Sequence, residues 1–219
     1  MSKSLSPLSF CAKSAGRPKA SEVEARTREL ICVASRLFLK QGYTKVSLES
    51  IAREARVAVR TIYVKFGGKA GLFKAVLASQ RERFFADRNM DVDPRPLRQV
   101  VDDFAREFHV MLWAPDAVAI QRVVIAESAS DPELAEAFYE GGPRLTREML
   151  ARFFARPDIR AQLRDDLEVE QLPSHLLTCI SGDPIVRYLF PHSEPEGETA
   201  LRQLAQRMEL FYHSVLKQP

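Results

Sequence analysis

Within Val59–Lys65 the chain reads VRTIYVK, which puts a guanidinium, a hydroxyl, a phenol and an ammonium within seven residues. These groups donate hydrogen bonds to phosphate oxygens and to base edges. Arginine is also the side chain that pairs with guanine through two parallel bonds, so Arg60 is the expected base reader. Val59 is expected to touch a thymine methyl, and Thr61, Tyr63 and Lys65 to reach phosphates or bases. The sequence holds no comparable set for catalysis. It has no glycine-rich phosphate loop and no nucleophile elbow, and the four histidines, His109, His175, His192 and His213, are scattered. His175 and Cys179 stand four apart on one helix face, but two ligands do not make a metal site. No enzyme, cofactor or metal is expected.

The elements that position the basic heptad are legible around it. Leu48, Ile51, Ala52 and Ala55 recur at helical spacing, and Ser47 stands where an N-cap belongs. A break follows at Ala55-Arg56-Val57. A second short helix runs from Val59 to Lys65, with Ile62 and Phe66 facing inward and Arg60, Thr61, Tyr63 and Lys65 facing outward. Gly67-Gly68 ends it. Two short helices, a tight turn and a basic second helix describe a helix-turn-helix. Before it, a helix from Ser21 or Glu22 to Gln41 presents Leu30, Ala34, Leu37 and Phe38, and Gly42 stops it. After it, Lys69 opens a helix to about Arg88 bearing Leu72, Phe73, Val76, Leu77 and Phe84.

Charge agrees with this placement. The net charge is only +3, yet residues 1–90 carry 18 Lys+Arg against 7 Asp+Glu, while residues 91–219 carry 14 against 22. The basic part coincides with the helix-turn-helix, so a polyanion is its expected partner. At 219 residues, 46% hydrophobic and 28% charged, the chain has the composition of a soluble globular protein. It lacks an apolar run long enough to span a membrane, and its first ten residues do not read as a signal peptide. Three separated cysteines, Cys11, Cys32 and Cys179, suit a reducing cytoplasm.

From Ala34 to Phe73 the chain resembles the DNA-binding domain of TetR-family transcriptional regulators. The positions that carry the resemblance are Ala34, Leu37-Phe38, Gly42-Tyr43-Thr44, Ser47, Ile51-Ala52, Ala55, Val57, Thr61-Ile62-Tyr63, Phe66, Lys69 and Leu72-Phe73. The resemblance implies phosphate contacts from Ser47, Tyr63 and Lys69. It implies an all-α fold with a three-helix helix-turn-helix DNA-binding domain at 21–68. A larger helical effector-binding and dimerisation domain would fill 69–219, behind a disordered basic arm at 1–20. Gly16-Arg17-Pro18-Lys19 of that arm could lie in the minor groove or simply be a solubilising tail. Two residues depart from the family pattern: Arg56 stands where glycine is usual in the turn, and Ala58 where serine is usual. A left-handed Arg56 costs about 1 kcal/mol relative to glycine, and the missing cap at Ala58 costs about as much. Arg56 is expected to compensate with a phosphate contact of its own.

The stretch Ile120–Phe154 is similar to the C-terminal domain of the AefR-like TetR subgroup, through Val124-Ile125-Ala126-Glu127, Pro132-Glu133-Leu134 and Phe138-Tyr139-Glu140-Gly141-Gly142-Pro143. Phe104, Phe108, Met111, Trp113, Phe138, Tyr139, Met149 and Phe153 lie in helices that line the family's pocket, with Arg122 or His109 available to orient a polar group. The same residues would equally serve as plain core. A short helix is expected at Asp158–Leu163. Leu176 and Ile180, then Leu201, Leu204, Met208, Phe211, Tyr212 and Val215, form two apolar stripes. Periodicity does not separate a dimer interface from intramolecular core, and the resemblance selects the dimer.

The expected protein is therefore a cytoplasmic homodimeric regulator. It would bind a palindromic DNA operator as a repressor and be released by a small, largely apolar effector. An architectural or division protein that binds DNA without an effector is the alternative.

Overall fold

The computed structural model describes residues 20–85, 89–183 and 197–217; residues 1–19 of the arm expected at 1–20, His192 and Cys11 lie outside them. The chain is all-helical, with one isolated antiparallel bridge, Leu163 to Leu216, among the described residues. No single helix there is long and apolar enough to cross a membrane. The elements divide into two compact units.

The first unit contains α1 (Ala20–Gln41), α2 (Leu48–Glu54), α3 (Val59–Phe66) and α4 (Lys69–Phe85) as far as Arg81, together with Ala119–Gly142. That later segment holds most of α6 (Pro115–Glu127) and all of α7 (Pro132–Gly141). Leu30, Ala34, Leu37 and Phe38 of α1 are buried with Ile51, Ile62, Leu72 and Phe73, as their spacing predicts, and Ile120, Val124, Leu134 and Ala137 join the same core. Phe38, Tyr43 and Phe73 close a triangle with ring centroids 5.3–5.6 Å apart. Aromatic edges meeting faces in this way add to what burial alone contributes.

Backbone geometry fixes two glycines in this unit. Gly42 ends α1 at φ 85°, its N–H donating to Phe38 O at 3.0 Å, in a conformation that a Cβ disfavours. At Gly71, a Cβ would stand 1.7 Å from the backbone oxygen of Phe66, so the start of α4 lies against the end of α3 only because no side chain intervenes.

The second unit takes Glu82–Val118 and 143–219. It comprises α5 (Leu97–Trp113), α8 (Pro143–Ala155), α9 (Pro157–Arg160), α10 (Leu172–Ser181) and α11 (Gly197–Val215). The expected helix at Asp158–Leu163 is this shorter α9, shifted forward because Pro157 occupies its first turn, where a missing N–H costs nothing. Pro173 likewise sits in the first turn of α10.

The stripes expected at a dimer interface are buried within one protomer. Leu176, Ile180, Leu204, Met208, Phe211, Tyr212 and Val215 are buried in this chain's own core, with Phe104, Leu150, Phe153 and Phe154. Of that set only Leu201 is exposed, at 37%. The α10 and α11 stripes face each other and α5, so one protomer suffices to bury them. Tyr212 carries a polar handle into this core: its hydroxyl donates to Asp102 Oδ1 at 2.6 Å, and burial, the Asp102 hydrogen bond and its charge push the phenol pKa up.

Candidate nucleic-acid interface

Ser47 caps α2. Its Oγ accepts the N–H of Ser50 at 3.1 Å while the Ser50 hydroxyl donates to Ser47 O at 2.7 Å. The cap uses only a lone pair of Ser47, so its O–H remains a donor at an exposed helix start, the place where a phosphate oxygen is best received.

The turn after α2 has the geometry that makes Arg56 unusual. Arg56 is left-handed at φ 55°, the one non-glycine residue with positive φ among the described residues. Its N–H bonds to Arg53 O at 3.3 Å and that of Val57 to Ala52 O at 2.9 Å, the bond pair of a Schellman helix stop. Glycine normally fills this position. The arginine therefore carries strain, and its side chain is exposed beside the start of α3. Ala58 adopts the extended N-cap conformation of α3 without a side-chain cap bond, as its methyl dictates.

On α3 the expected row divides. Arg60 and Tyr63 are exposed, Tyr63 at 56%, and Thr61 is half-buried. Val59 is half-buried and packs on the unit's core. Lys65 is exposed, but its ammonium donates to Thr27 Oγ1 on α1, whose hydroxyl in turn donates to Val23 O at 2.7 Å. Gly67, left-handed at φ 77°, ends the helix.

Lys69 sits behind this row. Its ammonium lies 4.2 Å from the Tyr43 ring centroid and donates to Thr44 O at 3.3 Å. Burial lowers its pKa, while the carboxylates of Asp131 and Glu127 pull the other way. Tyr43 is pushed up by burial first, and then by Asp131, Glu133 and Glu127. Sequence reasoning missed the tie beside them. Glu127, the last residue of α6, accepts from both the Thr44 N–H, at 2.7 Å, and the Thr44 hydroxyl, at 2.6 Å. It holds the turn that leads into Ser47, and the only trace of it in sequence is its place in the Val124–Glu127 match.

The expected pocket residues belong to both units, and each is described within its own. Phe104, Phe108, Met149 and Phe153 are buried in the second unit's core and Met111 packs against it. Phe138 packs on the first unit's core, while Arg122 is exposed and Tyr139 is 48% exposed. A cavity of about 460 Å³ in the second unit is lined by two of the expected residues, His109 and Trp113 of α5, together with His175, Thr178 and Cys179 of α10, and Gln203 and Arg207 of α11. His109 Nδ1 donates to Ile180 O at 3.2 Å. Arg207 Nε donates to Cys179 O at 2.7 Å, near the end of α10. Burial pushes the Cys179 thiol up, more than the Arg207 charge lowers it. Among the described residues, no group of three or more His, Cys, Asp and Glu is placed to hold a metal.

Comparison with known proteins decides the family. The model described as Bacterial regulatory proteins, tetR family, matches residues 30–76, and that of the AefR-like transcriptional repressor, C-terminal domain, matches residues 99–211, half of the chain. The chain belongs to the TetR family of transcriptional regulators.

Its curated relatives share the DNA-binding end. The HTH-type transcriptional regulator SrpR of Pseudomonas putida is 34% identical over 76 residues, 35% of this chain and 36% of SrpR. HbdR of Aromatoleum sp. is 45% identical over 96 residues, 44% of this chain and 39% of HbdR. The matches thus span little more than a third of these relatives' length. Among solved structures, the flavonoid-responsive regulator FrrA superposes with a TM-score of 0.69 at 26% identity, covering 90% of this chain and all of FrrA. NalD, the secondary repressor of the MexAB-OprM multidrug efflux pump in Pseudomonas aeruginosa, superposes at 0.62 and 21% identity, covering 91% of this chain and 100% of NalD. As a TetR-family regulator the chain has helix-turn-helix α2–α3 as its DNA-binding element, and the family implies DNA and a second copy of the chain as partners.

Proposed function

We propose that this regulator is a homodimeric repressor that binds a palindromic operator and leaves it when a small, largely apolar effector binds the second unit. Ser47, Arg56, Arg60, Thr61 and Tyr63 form the contact row, with Lys65 and Lys69 adding charge from its ends. The observation that carries the reading is the row itself: a capped helix start, a strained arginine and the outward face of α3 present free donors on the basic part of the chain. In a dimer, two such helices enter successive major grooves about 34–36 Å apart. The second copy would pack on the outward faces of α10 and α11, where Leu201 and Leu210 are exposed. An aromatic effector suits the rings of His109, Trp113 and His175 that line the second unit's cavity, and FrrA, by its name, responds to flavonoids. The effector releases DNA only by as much as it prefers the conformation that binds DNA poorly.

Gel shift of the full chain on its own upstream intergenic DNA, with non-specific competitor at fixed salt, tests this reading. A discrete complex of dimer stoichiometry that Arg60→Ala weakens is expected. Binding that never exceeds competitor level on any fragment of the source genome refutes it.

A further inference from the structure

Val64 is the most exposed of the large hydrophobic side chains on the described surface, at 76%, and it stands on the outward face of α3. A lone exposed valine on a soluble protein needs no explanation in general. This one is less ordinary. A β-branched residue in the interior of a short helix loses side-chain freedom against the preceding turn, and here no packing in the free protein offsets that loss. Its neighbours on the same face are hydrogen-bonding groups. Arg60 lies four residues earlier and both are exposed, so the two side chains share one stripe along the helix. Val59, the valine whose place in sequence suggested a thymine contact, is packed against the core instead.

We propose that Val64 reads a thymine C5-methyl in the major groove, next to the guanine read by Arg60. The inference rests on the DNA-binding role proposed above and names the base chemistry of that contact. Four helical residues advance about 6 Å along the axis. Base pairs stack about 3.4 Å apart along a strand. The thymine therefore lies within two base pairs of the Arg60 guanine. The thymine methyl is the one apolar group the major groove presents, and an isopropyl group covers it without competing for hydrogen bonds. The basic surroundings, Arg56, Arg60 and Lys65, bring the duplex to this face.

The test needs the operator, found by selecting bound fragments of genomic DNA with the full chain. The guanine is located as the position where Arg60→Ala loses base discrimination. Each nearby thymine is then replaced by uracil, which deletes the methyl and leaves the pairing intact. For the wild-type protein, one such replacement, made in a single half-site, should weaken binding about fourfold, or 0.8 kcal/mol at 1.4 kcal/mol per tenfold. Val64→Ala should bind the thymine and uracil operators equally, with an unfolding midpoint no lower than the wild type's because the side chain is exposed and alanine favours the helix. Wild-type binding indifferent to uracil at all positions within two base pairs of that guanine overturns the inference while leaving the DNA-binding reading standing. So does a Val64→Ala protein that keeps the full uracil penalty. No selective binding to any fragment overturns both.

Discussion

Arg56 offers a prediction in which stability and DNA affinity move in opposite directions. The residue holds φ 55° in a Schellman stop, where a Cβ meets its own carbonyl. The left-handed conformation costs a non-glycine residue about 1–2 kcal/mol. Glycine at this position removes that cost but enlarges the unfolded ensemble, which returns about 0.4–1 kcal/mol. Arg56→Gly should therefore stabilise the protein by about 0.5–1 kcal/mol. Arg56→Ala keeps the Cβ and the strain, so its stability should match the wild type. Urea unfolding checks this through the midpoint at constant slope. Both substitutions remove the guanidinium. Taking one phosphate away from a protein's cations reduces the slope of log affinity against log salt by about 0.9. A dimer carries the substitution in both protomers, so the slope should fall by about 1.8 for either variant. A glycine variant no more stable than the alanine variant would refute the strain argument. A salt slope that stays at the wild-type value in both would mean that Arg56 does not touch the DNA.

Other substitutions probe the support around the row. Ser47→Ala should cost about 1 kcal/mol of stability by removing the cap and should also weaken DNA binding; restoration by Ser47→Thr, read in the same titration, separates cap from bulk. Gly71→Ala forces a methyl into the space of the Phe66 carbonyl and should destabilise by about 3 kcal/mol, visible as a lowered unfolding midpoint; unchanged stability would mean that α3 and α4 do not approach so closely. Glu127→Ala should free the turn at Thr44, and amide exchange at Thr44 should accelerate at least several-fold while the core amides of α5 keep their rates. Tyr212→Phe removes a hydroxyl bonded to Asp102 and should cost about 1.5 kcal/mol by thermal or urea unfolding.

The DNA-binding helices are readable because their signals are local. Ser47 as cap, Gly42 and Gly67 as stops, and Ile51 and Ile62 as inward residues each follow from neighbours a turn away. Even the oddity at Arg56 is visible as a non-glycine in a glycine position. What sequence does not resolve is contact between distant segments. Glu127 and Thr44 are 83 positions apart, and nothing in the period of either helix announces that they meet. Periodicity likewise says that Leu204, Met208, Phe211 and Val215 share a face, but not what covers it. Here it is covered by Leu176, Ile180 and Phe104 of the same chain. A stripe already buried in one protomer has no apolar area left to offer a second, so a partner held by these two helices would meet their opposite faces. Those faces read as mostly polar, with Leu201 and Leu210 among serine, threonine, glutamine and histidine, which is why hydrophobic periodicity does not single them out.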